Sequence, residues 1–286
     1  MKTYLDCTPC FFRQALSATR RAVEDPERQE NIMRMVMEQL SQADYSKSPP
    51  HLARDMYRLI KTESGDVDPF KDIKHESNRL VEDLYPELKD IVAQSPNPLE
   101  TAVKLAIAGN VIDFGANHAV SSVDIHRSID EALHVSLGEN AFDNFHISVS
   151  KARNVLYIGD NAGEIVFDRL LIEQLLPQNI VYAVRGFPVI NDVTLEDAKE
   201  VGMDKIVEVI HNGLDAPGTV LVECSDSFMR EYDKADLVIA KGQGNYETLN
   251  DEKKHIFFMM KVKCPVVSSD VGLPVNSMML REIGAD

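Results

Sequence analysis

The segment Gly159-Asp160-Asn161-Ala162-Gly163-Glu164 puts two acids and an amide at the end of an apolar run, Asn154-Val155-Leu156-Tyr157-Ile158. Apolar periodicity resumes at Leu170, Leu171, Leu175 and Leu176, so the acids sit where a strand hands over to a helix. A helix cap accounts for one Asp or Asn there, by accepting a backbone N–H. It accounts poorly for an adjacent pair followed by Glu164. A second run, Ile180 to Val184, ends in Arg185-Gly186-Phe187-Pro188-Val189-Ile190-Asn191-Asp192-Val193-Thr194, where Asn191 or Asp192 is again a cap or a site residue. A third, Ala235 to Ala240, runs into Lys241-Gly242-Gln243-Gly244-Asn245. Glycines let backbone N–H groups approach an anion, and the helix that follows adds a favourable dipole. Lys241 precedes the glycines, so this is not the nucleotide P-loop. Carboxylates and an amide oxygen are hard donors, suited to magnesium or manganese rather than zinc. Lysine and exposed amides suit phosphate. The three loops together point to a metal–phosphate site.

Other residues offer chemistry with less context. Asn110 and Asp113 lie three apart in the apolar segment Ile107 to Gly115, hence on one helix face. They are either site residues or buried hydrogen-bonding partners of the neighbouring domain. Cys7-Thr8-Pro9-Cys10 is a C-x-x-C at the mouth of the first helix, a setting that favours thiolate. Redox chemistry, a second metal and a pair of buried free thiols all remain open for Cys7 and Cys10. Cys224 and Cys264 stand alone and complete no zinc spacing. The chain has no G-x-S-x-G elbow and no G-x-G-x-x-G dinucleotide loop.

Two regions must position these residues. Residues 1–95 read as a helical N-terminal domain, with apolar faces through Phe11, Phe12, Ala15 and Leu16, through Ile32 to Leu40, and through Leu80, Leu84, Leu88 and Ile91. Ser95-Pro96-Asn97-Pro98 marks a break. Residues 96–286 read as an α/β metal- and phosphate-binding domain. Strands are expected at 155–158, 180–184, 206–209, 237–240 and 266–268. Helices are expected at 163–176, 194–201, 225–233 and 246–253, and the run from Ile256 to Val262 fits either state. The alternation implies a Rossmann-like, mostly parallel sheet with helices on both faces, which binds ligands beyond the carboxyl ends of its strands.

The chain has 286 residues and a net charge of −16. That balance disfavours nucleic acid and anionic membrane surfaces, and leaves an anionic substrate needing a metal or a local cation. No apolar run is long enough to span a bilayer and the start lacks an apolar leader core, so a cytoplasmic protein is expected. The sequence leaves the oligomeric state open.

The motifs together resemble the metal-dependent damage-control phosphatases, also known as domain of unknown function eighty-nine. The matching stretches are Gly159 to Glu164, Gly186 to Thr194 and Lys241 to Glu247, and Asn110 and Asp113 match a further motif. Asp6-Cys7-Thr8-Pro9-Cys10 resembles the branch found mainly in archaea and bacteria. The resemblance implies a divalent cation (manganese, magnesium, cobalt or nickel) held by Asp160, Asn161 and Asp192. It also implies hydrolysis of phosphate esters of small metabolites such as sugar phosphates. On this reading Lys241 and the amides of Gly242, Gln243 and Gly244 stabilise phosphoryl charge. Asn110, Asp113, Glu164, Arg185 and Asn245 line the substrate. Asp160 acts as a ligand or attacks phosphorus itself. The rivals are a non-catalytic phosphometabolite- or nucleotide-binding protein and a transferase using a nucleoside cofactor.

Overall fold

A computed structural model describes residues 1–109 and 122–285. Asn110 and Asp113 lie outside the described residues. The chain is an α/β protein. Its sheet contains β1 (Asn154–Ile158), β2 (Asn179–Val184), β3 (Glu208–His211), β4 (Leu237–Lys241), β5 (Ile256–Lys261) and β6 (Met278–Ile283) in the order β3-β2-β1-β4-β5-β6. The first five strands run parallel and β6 is antiparallel to β5.

The strands are near-continuous apolar runs because both faces are covered. Side chains alternate between faces at a period of two. Val155, Tyr157, Ile180, Tyr182, Leu237, Ile239, Phe257 and Met259 point into one core. Leu156, Ile158, Val181, Ala183, Val238, Ala240, Phe258 and Met260 point into the other. The first face is covered by α4 (Lys71–Gln94), α5 (Pro98–Gly109), α6 (Ser122–His134), α7 (Ala141–Lys151), α8 (Glu164–Leu175) and α9 (Leu195–Glu200). The second is covered by α10 (Asp226–Lys234), α11 (Gln243–Leu249) and α12 (Pro265–Val271).

A third core joins α1 (Thr8–Ala22), α2 (Pro26–Ser41) and α3 (Pro49–Ser64) through Phe11, Ala15, Ile32, Val36, Met56 and Ile60. Each of these helices carries a proline in its first turn, where the missing N–H has no intrahelical partner to lose. Val189, from the loop after β2, is buried in this same core. Val81, Tyr85, Leu88 and Val92 of α4 are instead buried with the sheet.

Four segments differ from expectation. The helix expected at 246–253 is α11 (Gln243–Leu249), so Gln243 and Gly244 of the expected glycine loop lie in its first turn. Residues 266–268, expected as a strand, lie in α12. Pro265 fills its first turn, and the Cys264 Sγ caps it by accepting the Val267 N–H at 3.5 Å. The third strand begins at Glu208 rather than 206, because the segment Met203–Lys205 winds into a short helical turn first. The ambiguous run from Ile256 resolves as β5, and β6 pairs with it as an unanticipated edge strand. Among the described residues no helix is long and apolar enough to cross a membrane.

Candidate active site

β1 pairs with β2 on one side and β4 on the other, so chain order reverses at β1. A crevice opens at such a switch point beyond the carboxyl ends of the strands. The three motif loops all emerge there. The loop after β2 folds back beside the loop after β1: Val193 N–H donates to the Asp160 carbonyl at 2.8 Å and Ala162 N–H to the Asn191 carbonyl at 2.9 Å. A β-bridge between Asn161 and Asp192 results. Three candidate residues from two loops are thereby fixed by backbone bonds. The turn is tight enough to hold Ile190 at φ 46°, a left-handed value that a β-branched residue adopts only under constraint.

The third loop closes on Asp160. Gly242 has φ +80°, and a Cβ there would lie 1.9 Å from the Asp160 Oδ2. No larger residue fits without moving the acid. Asn245 ties the loops together: its Nδ2 donates to the Gly159 carbonyl at 3.2 Å and to the Lys241 carbonyl at 2.7 Å. Gln243 turns to α11 and α12, donating to the Glu247 carboxylate at 2.8 Å and lying 3.6 Å from the Cys264 Sγ. Gly244 packs on backbone, with a Cβ there only 1.8 Å from the Pro217 carbonyl oxygen.

The charges are arranged in two groups. In the first, the Arg185 Nε donates to the Asp192 Oδ2 at 2.6 Å, and its guanidinium stands 3.6 Å from the Asp160 Oδ1. Its other contacts are Thr219 Oγ1 at 3.3 Å and Asn245 Oδ1 at 3.2 Å. Arg185 is therefore a buried partner of the acids. The Asn161 Nδ2 donates to Asp160 at 2.7 Å and to the Glu164 Oε2 at 3.1 Å, which keeps its Oδ1 as the acceptor end. In the second group, Lys241 is fully buried. Its ammonium donates to the Ala106 carbonyl at 2.8 Å and pairs with Glu164 at 2.8 Å and with Asp168. Lys241 thus faces inward, behind the loop it begins.

Burial, followed by the neighbouring Glu164 and Asp192 carboxylates, holds the Asp160 pKa well above the usual range, against the pull of Arg185 and Lys263. Burial also raises Asp192, opposed by Arg185. At Lys241 burial disfavours the ammonium, but Asp168 and Glu164 outweigh it and raise its pKa.

Lys263 escaped the sequence reading. It is exposed, lies just past β5, and its charge acts on Asp160. A lysine two residues past the apolar run of β5 in an acidic chain was the available signal. Cys264 also gains a context, since Cys7 lies within electrostatic reach of Glu247, Cys264 and Cys10, and burial raises the Cys7 pKa.

Among the described residues no three Asp, Glu, His or Cys side chains form a metal-holding group by themselves. The donor set at the switch point is of another kind: the Asp160 and Asp192 carboxylates and the Asn161 amide oxygen. Hard oxygen donors of this type fit a magnesium-like cation that keeps water or phosphate in its remaining positions. The crowding that raises the Asp160 pKa is also what a bound cation relieves. The residues present therefore fit a divalent metal.

The family model of the damage-control phosphatase ARMT1-like domain matches residues 3–279. The chain belongs to this family. A damage-control phosphatase of Pyrococcus horikoshii, PH1575, is 32% identical over 98% of this chain and 97% of its own. A damage-control phosphatase of Archaeoglobus fulgidus is 34% identical over 84% of this chain and 85% of its own. An uncharacterized protein of Methanocaldococcus jannaschii, MJ0202, is 35% identical over 96% of this chain and 93% of its own. The crystal structure of a DUF89 family protein from P. horikoshii superimposes with a TM-score of 0.89 at 31% identity, covering 99% of both chains. That structure is of PH1575, the same protein as the relative above, so sequence and fold agree on one family.

Proposed function

We propose that this chain is a divalent-metal-dependent phosphatase of the cytoplasm, hydrolysing phosphomonoesters of small metabolites such as sugar phosphates. The observation that carries this reading is the backbone bridge joining Asn161 to Asp192 beside Asp160, at the switch point of the sheet. The names of the relatives from P. horikoshii and A. fulgidus support it.

Asp160, Asn161 and Asp192 would hold the metal. When bound, a divalent cation polarises a phosphoryl oxygen and lowers the pKa of a coordinated water. The protein's own part is positioning and charge. Arg185 holds Asp192 and faces Asp160, so both acids keep their orientation. Lys241 is enclosed by Glu164 and Asp168, so it braces the loops instead of contacting phosphate. Lys263, whose backbone N–H donates to the Gln243 Oε1 at 3.3 Å, takes over as the accessible cation for the substrate phosphate beside the amides of Gln243 and Gly244. The Gly242 N–H is engaged by the Met259 carbonyl at 3.0 Å and is withdrawn from that role. Asn110 and Asp113 remain proposed substrate contacts. Hydrolysis runs by attack of water, with Asp160 as ligand, or through an aspartyl-phosphate on Asp160.

The test is an assay of sugar phosphates with manganese, magnesium, cobalt or nickel. Replacing Asp160 by Ala should lower the metal-dependent rate by about a thousandfold or more while the fold persists. A folded Asp160→Ala protein with full activity would refute the assignment. Binding of the phosphate ester without release of phosphate would favour the non-catalytic binding protein.

A further inference from the structure

The buried group behind the site is wired in one direction. Asp168 is fully buried on α8, one turn beyond Glu164 and on the same face. Both of its oxygens are engaged. The Tyr157 hydroxyl donates to Oδ1 at 2.7 Å and the Tyr182 hydroxyl to Oδ2 at 2.8 Å. These tyrosines are registered neighbours on β1 and β2, with rings stacked at a centroid distance of 5.3 Å. Asp168 is thus bolted to the two strands whose loops carry Asp160 and Asp192. Its Oδ1 also takes the Lys241 ammonium. That ammonium holds the Glu164 Oε1 at 2.8 Å, and the Glu164 Oε2 receives the Asn161 amide at 3.1 Å. The Tyr182 hydroxyl also lies directly under the turn, since a Cβ on Gly159 would come within 2.3 Å of it.

Packing alone does not call for this arrangement. Buried ion pairs are often replaceable by apolar side chains at no cost in stability, because desolvation offsets their attraction. What they supply is direction. We propose that Asp168 is a positioning residue for the metal-binding loop, acting through Lys241 and Glu164 to fix the Asn161 amide. This deepens the phosphatase reading above and rests on it. Asp168 is fully enclosed by Tyr157, Tyr182 and Lys241 and would act through them rather than on metal or substrate. It sets the angle at which Asn161 presents its oxygen, as outer partners of metal ligands do.

The test reads metal affinity directly, with manganese titrated into the substrate-free protein and followed by calorimetry or by the electron paramagnetic resonance of the free ion. Asp168→Asn should weaken manganese binding by about ten- to a hundredfold and lower kcat, with the KM for a sugar phosphate changing little. Tyr182→Phe removes one hydrogen bond and keeps the ring, so it should shift manganese affinity in the same direction by a smaller factor. It keeps the test decisive if Asp168→Asn fails to fold. The double variant Asp168→Asn with Lys241→Met should bind manganese no more weakly than Lys241→Met alone, since both changes break one chain of contacts. Wild-type binding of manganese together with unchanged affinity in the folded Asp168 and Tyr182 variants would overturn the positioning role alone. Absence of manganese binding by the wild-type protein would overturn the metal reading and this inference with it.

Discussion

Glu247 is buried beside the site loop, with the Gln243 amide at 2.8 Å as its side-chain donor. Burial pushes its pKa up to about 7, while Gln243 and the amino terminus pull the other way. The unfolded chain releases this proton near the ordinary value of 4.5. Between those two values the native state therefore holds more protons than the unfolded state. Stability is fully present below the lower value and is lost as pH rises toward neutrality. At about 1.4 kcal/mol for each pH unit that separates the two values, the loss reaches about 3 kcal/mol. Glu247→Gln should flatten this slope and be the more stable protein at about pH 8. Urea denaturation at mildly acidic and mildly alkaline pH measures it, and parallel slopes in both proteins would contradict the assignment. The same scale separates what was legible from what was not. Asp160, Asn161 and Asp192 stood out because a helix cap needs one polar side chain and each loop offered more. Lys241 was visible as a cation ending a buried strand, but not the direction of its ammonium. Its partner Asp168 lies 73 residues away in sequence, and only the packing of α8 on the sheet brings the two together. Lys263 was missed because the run from Ile256 to Val262 fits either a strand or a helix, which left the residue after it without a place at the sheet edge.

At the level of elements, the alternation of short apolar runs with amphipathic stretches was enough to indicate a parallel sheet, because doubly covered strands must be apolar throughout. The edge strand β6 carried no such signal. Met278 to Ile283 includes Arg281 and Glu282, and burial is confined to Met279 and Leu280. The segment at 266–268 failed in the opposite sense, since two adjacent valines suggest a strand while Pro265 and the Cys264 cap impose a helix. The loops depend on left-handed backbone geometry, which the second holds at Ile190 under constraint and the third supplies with glycine. Gly242 is the sharpest case, with its left-handed φ and with Asp160 where a side chain would go. Gly242→Ala should cost about 1–3 kcal/mol in stability and, by displacing Asp160, lower kcat/KM by about a hundredfold. Melting temperature and steady-state kinetics measured together check both halves. Unchanged kcat/KM would show that Gly242 does not set the position of Asp160.

Across the whole molecule, the N-terminal helices do more than cover a surface. Arg58 of α3 grips the Asp215 carboxylate through Nε at 2.9 Å, and Lys61 donates to the Pro188 carbonyl at 3.0 Å. With Val189 buried among these helices, the loop carrying Asp192 is held from both sides. A rigid cradle of acids in a chain of net charge −16 has a thermodynamic consequence. Asp160 is crowded by Glu164 and Asp192, and the buried cation that faces it is Arg185. A divalent ion that binds the folded cradle and not the unfolded chain stabilises the fold by mass action. At a concentration about a hundred times its Kd the gain is about 2.7 kcal/mol. In a protein of this size that is a rise in Tm of about 5 °C. Monovalent salt at equal ionic strength screens the general repulsion but cannot bridge Asp160 and Asp192. Manganese should therefore raise Tm beyond the sodium chloride control, and Asp192→Asn should lose that excess while keeping the response to salt. An equal manganese shift in the Asp192→Asn protein would place the ion elsewhere on the acidic surface, and the cradle would no longer be a candidate metal site.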